Sequence, residues 1–338
     1  MPTWGEILVE IQQSAQERGQ LGPDLDGIRR KYLTALSDLT GRPTVAYYTD
    51  WINGGSPASL IVLGDMQGMM EVLKDLKGPE LDIILHSPGG SAEASASIVR
   101  YLRKRFTDIR VFVPLAAMSA ATMWALACNR IVMGKHSQLG PIDPQMITPT
   151  GQFPARGIVQ QFERAKREVS ADPSLLGAWV PILQQYGPAL LEECEKAEKL
   201  ARSLVAEWLE EYMFAGQKDA EDKAETIATW FSEYGASQSH SLGIDRDKAR
   251  ADVPDLVIDN LEDDQDLQDA VLSVHHAMIH TLSGSAVKIV ENHIGKAFVS
   301  HQQVMQVPVQ IPVQQQAPIQ LEVEPSRGDP GAPSNQHH

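Results

Sequence analysis

The sequence predicts an α/β fold with a mostly parallel sheet, preceded by a helical N-terminal arm and followed by a helical C-terminal part. Three observations carry that expectation. Strand-like and helix-like stretches alternate over about 90 residues from Pro43. Apolar positions recur at i, i+3, i+4 spacing both before and after that block. The 338 residues, 43% hydrophobic and 22% charged, have an ordinary globular profile and enough length for a sizeable core. The expected parts are an arm at 1–42, an α/β core at 43–155, a helical region at 156–299 and a disordered Gln/Pro-rich tail at 300–338.

In chain order, "WGEILVEIQQ" and "DGIRRKYLTALSDLTG" read as helices, the second stopped by Gly41. "PTVAYYTD" reads as a strand, and "SLIVLGDMQGMMEVLKDL" as a short strand or turn running into a helix that ends at Lys77-Gly78. The strand "LDIILHS", the helix "SAEASASIVRYLRKRF", the strand "IRVFVPL", the helix "SAATMWALACN" and the strand "RIVMGK" complete the alternation. Beyond residue 155, "GIVQQFERAKREV", "LLGAWVPILQQYG", "PALLEECEKAEKLARSLVAEWLEEYM", "AEDKAETIATWFSEYG" and "LQDAVLSVHHAMIHTLSGSAVKIVENH" give a predominantly helical region. After Val299 the composition turns to Gln, Pro and Val without a helix period, which reads as a solubilising end or as a peptide that a partner captures.

Several function classes fall away on composition. A net charge of −15 with no Lys/Arg stripe argues against a nucleic-acid partner. The two cysteines, Cys128 and Cys194, form no CxxC pair, so neither a disulfide framework nor a zinc site is expected. His276 and His280 stand four apart, yet HExxH and an acidic third ligand are missing, so a packed helix is favoured over a metal site. The N-terminal segment has no export-signal pattern. From Val111 to Cys128 run eighteen uncharged residues, the threshold for a membrane helix. Pro114 and an Ala/Ser-rich centre favour a buried strand running into a buried helix instead. The expectation is a cytoplasmic chain with no transmembrane segment, metal or cofactor.

Chemistry-bearing residues gather in two places. In "LDIILHSPGGSAEASASIVRYL" a strand ends, Pro88 removes a donor, and Gly89-Gly90 expose backbone ahead of a helix. A plain strand-to-helix turn explains this, and so does a pair of N–H donors for a developing oxyanion. No GxGxxG or GxxxxGK[ST] is present to support nucleotide binding. About thirty residues on, "VFVPLAAMSAATMWALACNRIVMG" sets Ser119 between small residues at a helix start. Such a serine is an N-cap or, where small neighbours admit a substrate and the helix N-terminus favours negative charge, a nucleophile.

Together "SPGG", "AAMSAATMWALACNRIVM" and "LGPID" resemble the Clp protease and signal peptide peptidase A group of serine peptidases. More closely, the chain resembles the serine dehydrogenase proteinase family, from about Pro43 to about His293. The resemblance implies a crotonase-like (Clp/crotonase) fold of ββα units and a Ser119 nucleophile. It also implies an oxyanion hole from the Gly89/Gly90 backbone with the N–H of Ala120, peptide-bond hydrolysis through an acyl-enzyme, and assembly as a homo-oligomer. Peptides or unfolded protein segments would be its substrates.

The proton acceptor is where the sequence departs from its better-known relatives. The distance at which Clp protease carries its histidine lands here on Asp143 of "GPIDPQ", a candidate for orienting base or substrate. His136 is nearby but too close to Ser119 for that pattern. Signal peptide peptidases use a lysine, and Lys166, forty-seven residues past Ser119, matches best by position, with Lys196 and Lys199 as alternates. A lysine acts as a base only when neutral, which requires burial or a neighbouring cation. Two rivals stay open. One is a crotonase-type acyl-CoA hydratase or isomerase, which needs no serine; the other is an inactive peptidase-like scaffold that binds peptides. His240, His275 and His293 belong to further signature-like stretches with no assigned role.

Overall fold

Thr3 opens the first helix through a reciprocal capping box with Glu6, giving α1 (Trp4–Arg18), and Asp24 caps α2 (Leu25–Thr40), which Gly41 ends in the left-handed region. Both helices fall where the sequence places helices, and Ile7, Ile28 and Leu33 pack them against the sheet instead of leaving them as a separate arm. The computed structural model describes residues 3–52, 55–148, 151–187, 189–237 and 242–301. The remaining elements of the core are β1 (Thr44–Thr49), α3 (Asp65–Leu73), β2 (Glu80–His86), α4 (Ala92–Arg103), β3 (Asp108–Val113), β4 (Ala116–Ala117), α5 (Ala120–Leu126), β5 (Arg130–Met133) and β6 (Gln138–Leu139). A hairpin of β7 (Gln145–Thr148) and β8 (Gly151–Pro154) leads into α6 (Ala155–Ala171), α7 (Leu176–Leu183), α8 (Leu190–Trp208) and α9 (Ala220–Ser237). After them come β9 (Ile244–Asp245), α10 (Arg246–Asp252), β10 (Ile258–Asn260), α11 (Gln265–Leu282), β11 (Ala286–Asn292) and β12 (Ala297–His301).

The main sheet runs β10-β5-β3-β2-β1-β11-β12. The pairs from β10 to β1 are parallel, and β11 and β12 add an antiparallel edge. All six residues of β1 and all but the first of β2 are buried, as a strand covered on both faces requires. One face carries the larger core, where Val45, Tyr47, Ile83 and Val111 meet α3, α4, α5, the end of α8 and α9. The other face sets Ala46, Tyr48, Ile84 and Phe112 against α1, α2 and α11. A separate small cluster, Ala155, Ile158 and Cys194, joins α6 to the start of α8.

The α/β fold class and the β1-to-β5 alternation are as expected, and Val111–Cys128 is β3, β4 and the buried α5. Among the described residues no helix is long and apolar enough to cross a membrane. The 156–299 region departs from its helical reading. "AVKIVEN" is a seven-residue strand, wholly buried and antiparallel to β1. Lys288 and Glu291 interrupt its apolar pattern, yet both are buried because each meets an opposite charge: Lys288 Nζ lies 2.6 Å from Asp65 and Arg29 Nε 2.6 Å from Glu291. β12 extends to His301, two residues into the segment expected as tail; beyond it the tail lies outside the described residues.

Candidate active site

Ser119 has φ 50 and ψ −120 and, among the described residues, is the one non-glycine with positive φ. Such a backbone costs about 1–3 kcal/mol and persists only where its surroundings impose it. The surroundings are bonded on every side. Met118 N donates to Ser87 O at 2.9 Å, Ala121 N to Met118 O at 2.9 Å and Met123 N to Ser119 O at 3.0 Å. Thr122 Oγ1 ties the first turn of α5 back to Ala117 O at 2.7 Å and accepts from Gly140 N at 2.9 Å. The Ser119 side chain makes no capping bond, so the N-cap explanation fails for it. It is also the one half-buried residue in a stretch, Ala116 to Cys128, that is otherwise buried.

The glycine loop meets Ser119 directly. Ser87 bridges Ala117, which brings the end of β2 beside β4 and places Gly89 (φ 95) against the serine. A Cβ on Gly89 would stand 2.5 Å from Met118 O, 2.8 Å from Ala120 N and 2.8 Å from Ser119 Cβ, so only glycine fits. Gly90 is pinned from the far side: Ile61 N donates to Gly89 O at 2.8 Å and Ser91 N to Ile61 O at 2.9 Å. In this parallel bridge Gly90's own N–H and C=O turn away from Ile61. Ala120 begins α5, so its N–H has no intrahelical acceptor. The Gly89 N–H, expected as an oxyanion donor, is engaged by Ser87 Oγ at 3.2 Å. Gly89 makes room, and among the described residues the N–H groups of Gly90 and Ala120 have no hydrogen-bond acceptor.

Behind this loop lies a buried histidine that the sequence marked only as a strand end. His86 donates through Nδ1 to the Ala116 carbonyl at 3.2 Å, and its Nε2 has no partner among the described residues. Its ring lies 5.7 Å from Trp51 and 5.6 Å from His275, whose Nδ1 is 3.3 Å from Tyr48 Oη. Burial pushes His86 down to about 4, outweighing the bond to Ala116. The folded value is below that of an exposed imidazole, so the unfolded chain binds the extra proton first. This contribution is complete above pH 6.5 and is lost as pH falls toward 4, about 3 kcal/mol in all. Urea unfolding at pH 7 and pH 4.5 should therefore show wild type losing about 2–3 kcal/mol more than His86→Asn; equal losses would remove His86 from the acid response.

The other candidates are spread more widely. Asp143 is 1% exposed, its Oδ2 accepting from Gln145 Nε2 at 2.9 Å. Its loop abuts the serine: a Cβ on Gly140 would stand 3.0 Å from Ser119 N. Glu198 of α8 is held above the usual carboxylate range by burial, with the Asp143 charge adding to it. His136 is exposed at a turn where Ser137 N bonds Gly134 O at 3.0 Å. Lys166 is 76% exposed on α6 with its ammonium 3.9 Å from Glu163, and Lys196 is 71% exposed and 2.8 Å from Glu192. Lys199 is exposed beside a cavity of about 190 Å³ lined by Arg156, Glu195, Glu198, Arg202 and Ser232. Ser119, Gly89, Gly90 and Ala120 thus come together, with the Asp143 loop beside them; the desolvation that a lysine base needs is absent at Lys166 and Lys196. His276 and His280 flank Trp4, with ring separations of 5.8 and 3.8 Å. His240 lies outside the described residues.

Residues 70–275 match the family described as ClpP-like SDH-type serine proteinase. Two uncharacterized proteins of Methanocaldococcus jannaschii are each 32% identical to the chain. One matches over 162 residues, 45% of this chain and 55% of the relative, and the other over 190 residues, 54% and 56%. The chain thus spans about half the length of the curated relatives it matches. Among solved structures, a membrane-bound stomatin-specific protease, as a serine-to-alanine mutant, aligns over 59% of this chain and 75% of its own at 15% identity and a TM-score of 0.33.

Proposed function

The chain belongs to the ClpP-like SDH-type serine proteinases, and from that premise we propose that it hydrolyses peptide bonds through an acyl-enzyme on Ser119, with a lysine taking the serine's proton. The observation that carries this reading is Ser119 itself: a strained backbone, a hydroxyl not used as a cap, and a glycine that admits no Cβ pressed against it. Ser119 Oγ attacks the scissile carbonyl carbon and gives up its proton. The carbonyl oxygen, now negative, accepts from the N–H groups of Gly90 and Ala120. Collapse expels the amine, which takes the proton, and water then cleaves the ester by the same steps. Peptides or unfolded segments are the substrate class, with homo-oligomeric assembly in the cytoplasm as the setting.

A lysine base is consistent with the family likeness, and Lys166 remains the positional candidate. Because its ammonium stands in water, it acts only once substrate or a neighbouring chain covers it, since desolvation is what makes a lysine neutral. Labelling by a fluorophosphonate, mapped to Ser119, tests the acyl-enzyme; binding of acyl-CoA without labelling would favour the hydratase reading instead. With casein as substrate, kcat/KM is expected to rise from pH 6 to 9 as the lysine loses its proton, and a flat profile counts against any lysine. Of Lys166→Met, Lys196→Met and Lys199→Met, the one that removes the base is expected to lower kcat by about 10²–10⁴-fold. Three variants all within twofold of wild type would end the dyad.

A further inference from the structure

Gly90 owes its position to Ile61, and Ile61 belongs to no continuous ladder. It forms a single bridge between the turn at Pro57–Ser59 and the start of α3. What fixes it is a buried group of charges from elsewhere. Lys288 Nζ donates to the Leu60 carbonyl at 2.8 Å and to Asp65 Oδ1 at 2.6 Å. Asp65 Oδ2 accepts from Val62 N at 3.0 Å and from Tyr47 Oη at 2.7 Å. The residues on both sides of Ile61 are therefore held, one by the ammonium and one by the carboxylate. Lys288 is 2%, Asp65 3% and Tyr47 0% exposed, and Lys288 and Tyr47 stand on the paired strands β11 and β1.

Buried ion pairs add little net stability against an apolar replacement, because desolvation offsets their attraction. What this pair supplies is geometry, holding the backbone on both sides of Ile61. We infer that Lys288, Asp65 and Tyr47 are positioning residues for the oxyanion donor, setting the Gly90 N–H relative to Ser119 through the backbone of Leu60–Val62. This rests on the acyl-enzyme reading of Ser119. A displacement of about 1 Å at such a donor costs on the order of 10²-fold in rate, while substrate binding away from the reacting carbonyl is untouched.

The test uses the full chain. In Lys288→Met, the fluorophosphonate labelling rate of Ser119 and kcat on casein are expected to fall at least about tenfold with KM within twofold, and Lys288→Arg should recover most of the loss. A folded Lys288→Met that labels within twofold of wild type overturns the inference. If Lys288→Met does not fold, Tyr47→Phe, which removes one hydroxyl, decides: a threefold or greater loss in labelling rate supports the clamp, and an unchanged rate overturns it. Failure of wild type to label at all, with casein cleavage equal to that of Ser119→Ala, would instead strike the acyl-enzyme reading.

Discussion

Replacing Ser119 by alanine is expected to abolish fluorophosphonate labelling and to lower casein hydrolysis by at least about 10⁴-fold. The size follows from the loss of the attacking oxygen, with only donors and substrate binding left to act on bulk water. Folding should be nearly unchanged, because alanine pays the same penalty for φ 50 that serine pays. Ser119→Gly separates the two properties: equally inactive, yet more stable than Ser119→Ala by about 1 kcal/mol, since glycine adopts positive φ without strain. Residual cleavage by Ser119→Ala equal to that of wild type would sink the peptidase reading. Equal urea midpoints for the alanine and glycine variants would show that the serine is not strained.

The second large effect is at Gly89. Gly89→Ala is expected to cost at least about 10²-fold in kcat/KM and about 2–4 kcal/mol in stability. Two penalties combine: a φ of 95, and a methyl group 2.5 Å from Met118 O and 2.8 Å from Ala120 N. Both neighbours are backbone, so relief requires moving the turn that holds Ser119 or the Ala120 N–H proposed as an oxyanion donor. Gly78 provides the control, with φ 99 and nothing within 4 Å of a Cβ. Gly78→Ala should cost about 1–2 kcal/mol and leave activity intact. Full activity in Gly89→Ala would mean that the loop is not apposed to the nucleophile.

The alternation from β1 to β5 was legible because buried parallel strands are nearly unbroken apolar runs, and "DIILH" and "RVFV" are such runs. The site was half legible. "SPGG" and "AAMSAATM" signal bare backbone and a small-residue helix start, but their apposition depends on the Ser87–Ala117 bridge, which no local pattern encodes. The engagement of the Gly89 N–H by Ser87 Oγ was not readable either, since it depends on how the loop folds back on Ser87. β11 was hidden by its two charges, whose partners Asp65 and Arg29 are remote in sequence. Lys166 matched a spacing, and spacing carries no information about burial. His86 passed as the last residue of a strand because only the folded sheet shows that Tyr48, Trp51 and His275 close around it.

The placement of Lys288 has a consequence for how the chain comes into being. The serine, both glycines and Ile61 all leave the ribosome well before β11 is synthesised, and the strand that bears Lys288 must then insert beside β1, which is made long before it. Until it does, Leu60 and Asp65 lack the ammonium that joins them. On the acyl-enzyme reading proposed above, a nascent or truncated polypeptide would carry Ser119 before the Gly90 backbone is fixed, and peptidase activity would arrive only with the completed sheet.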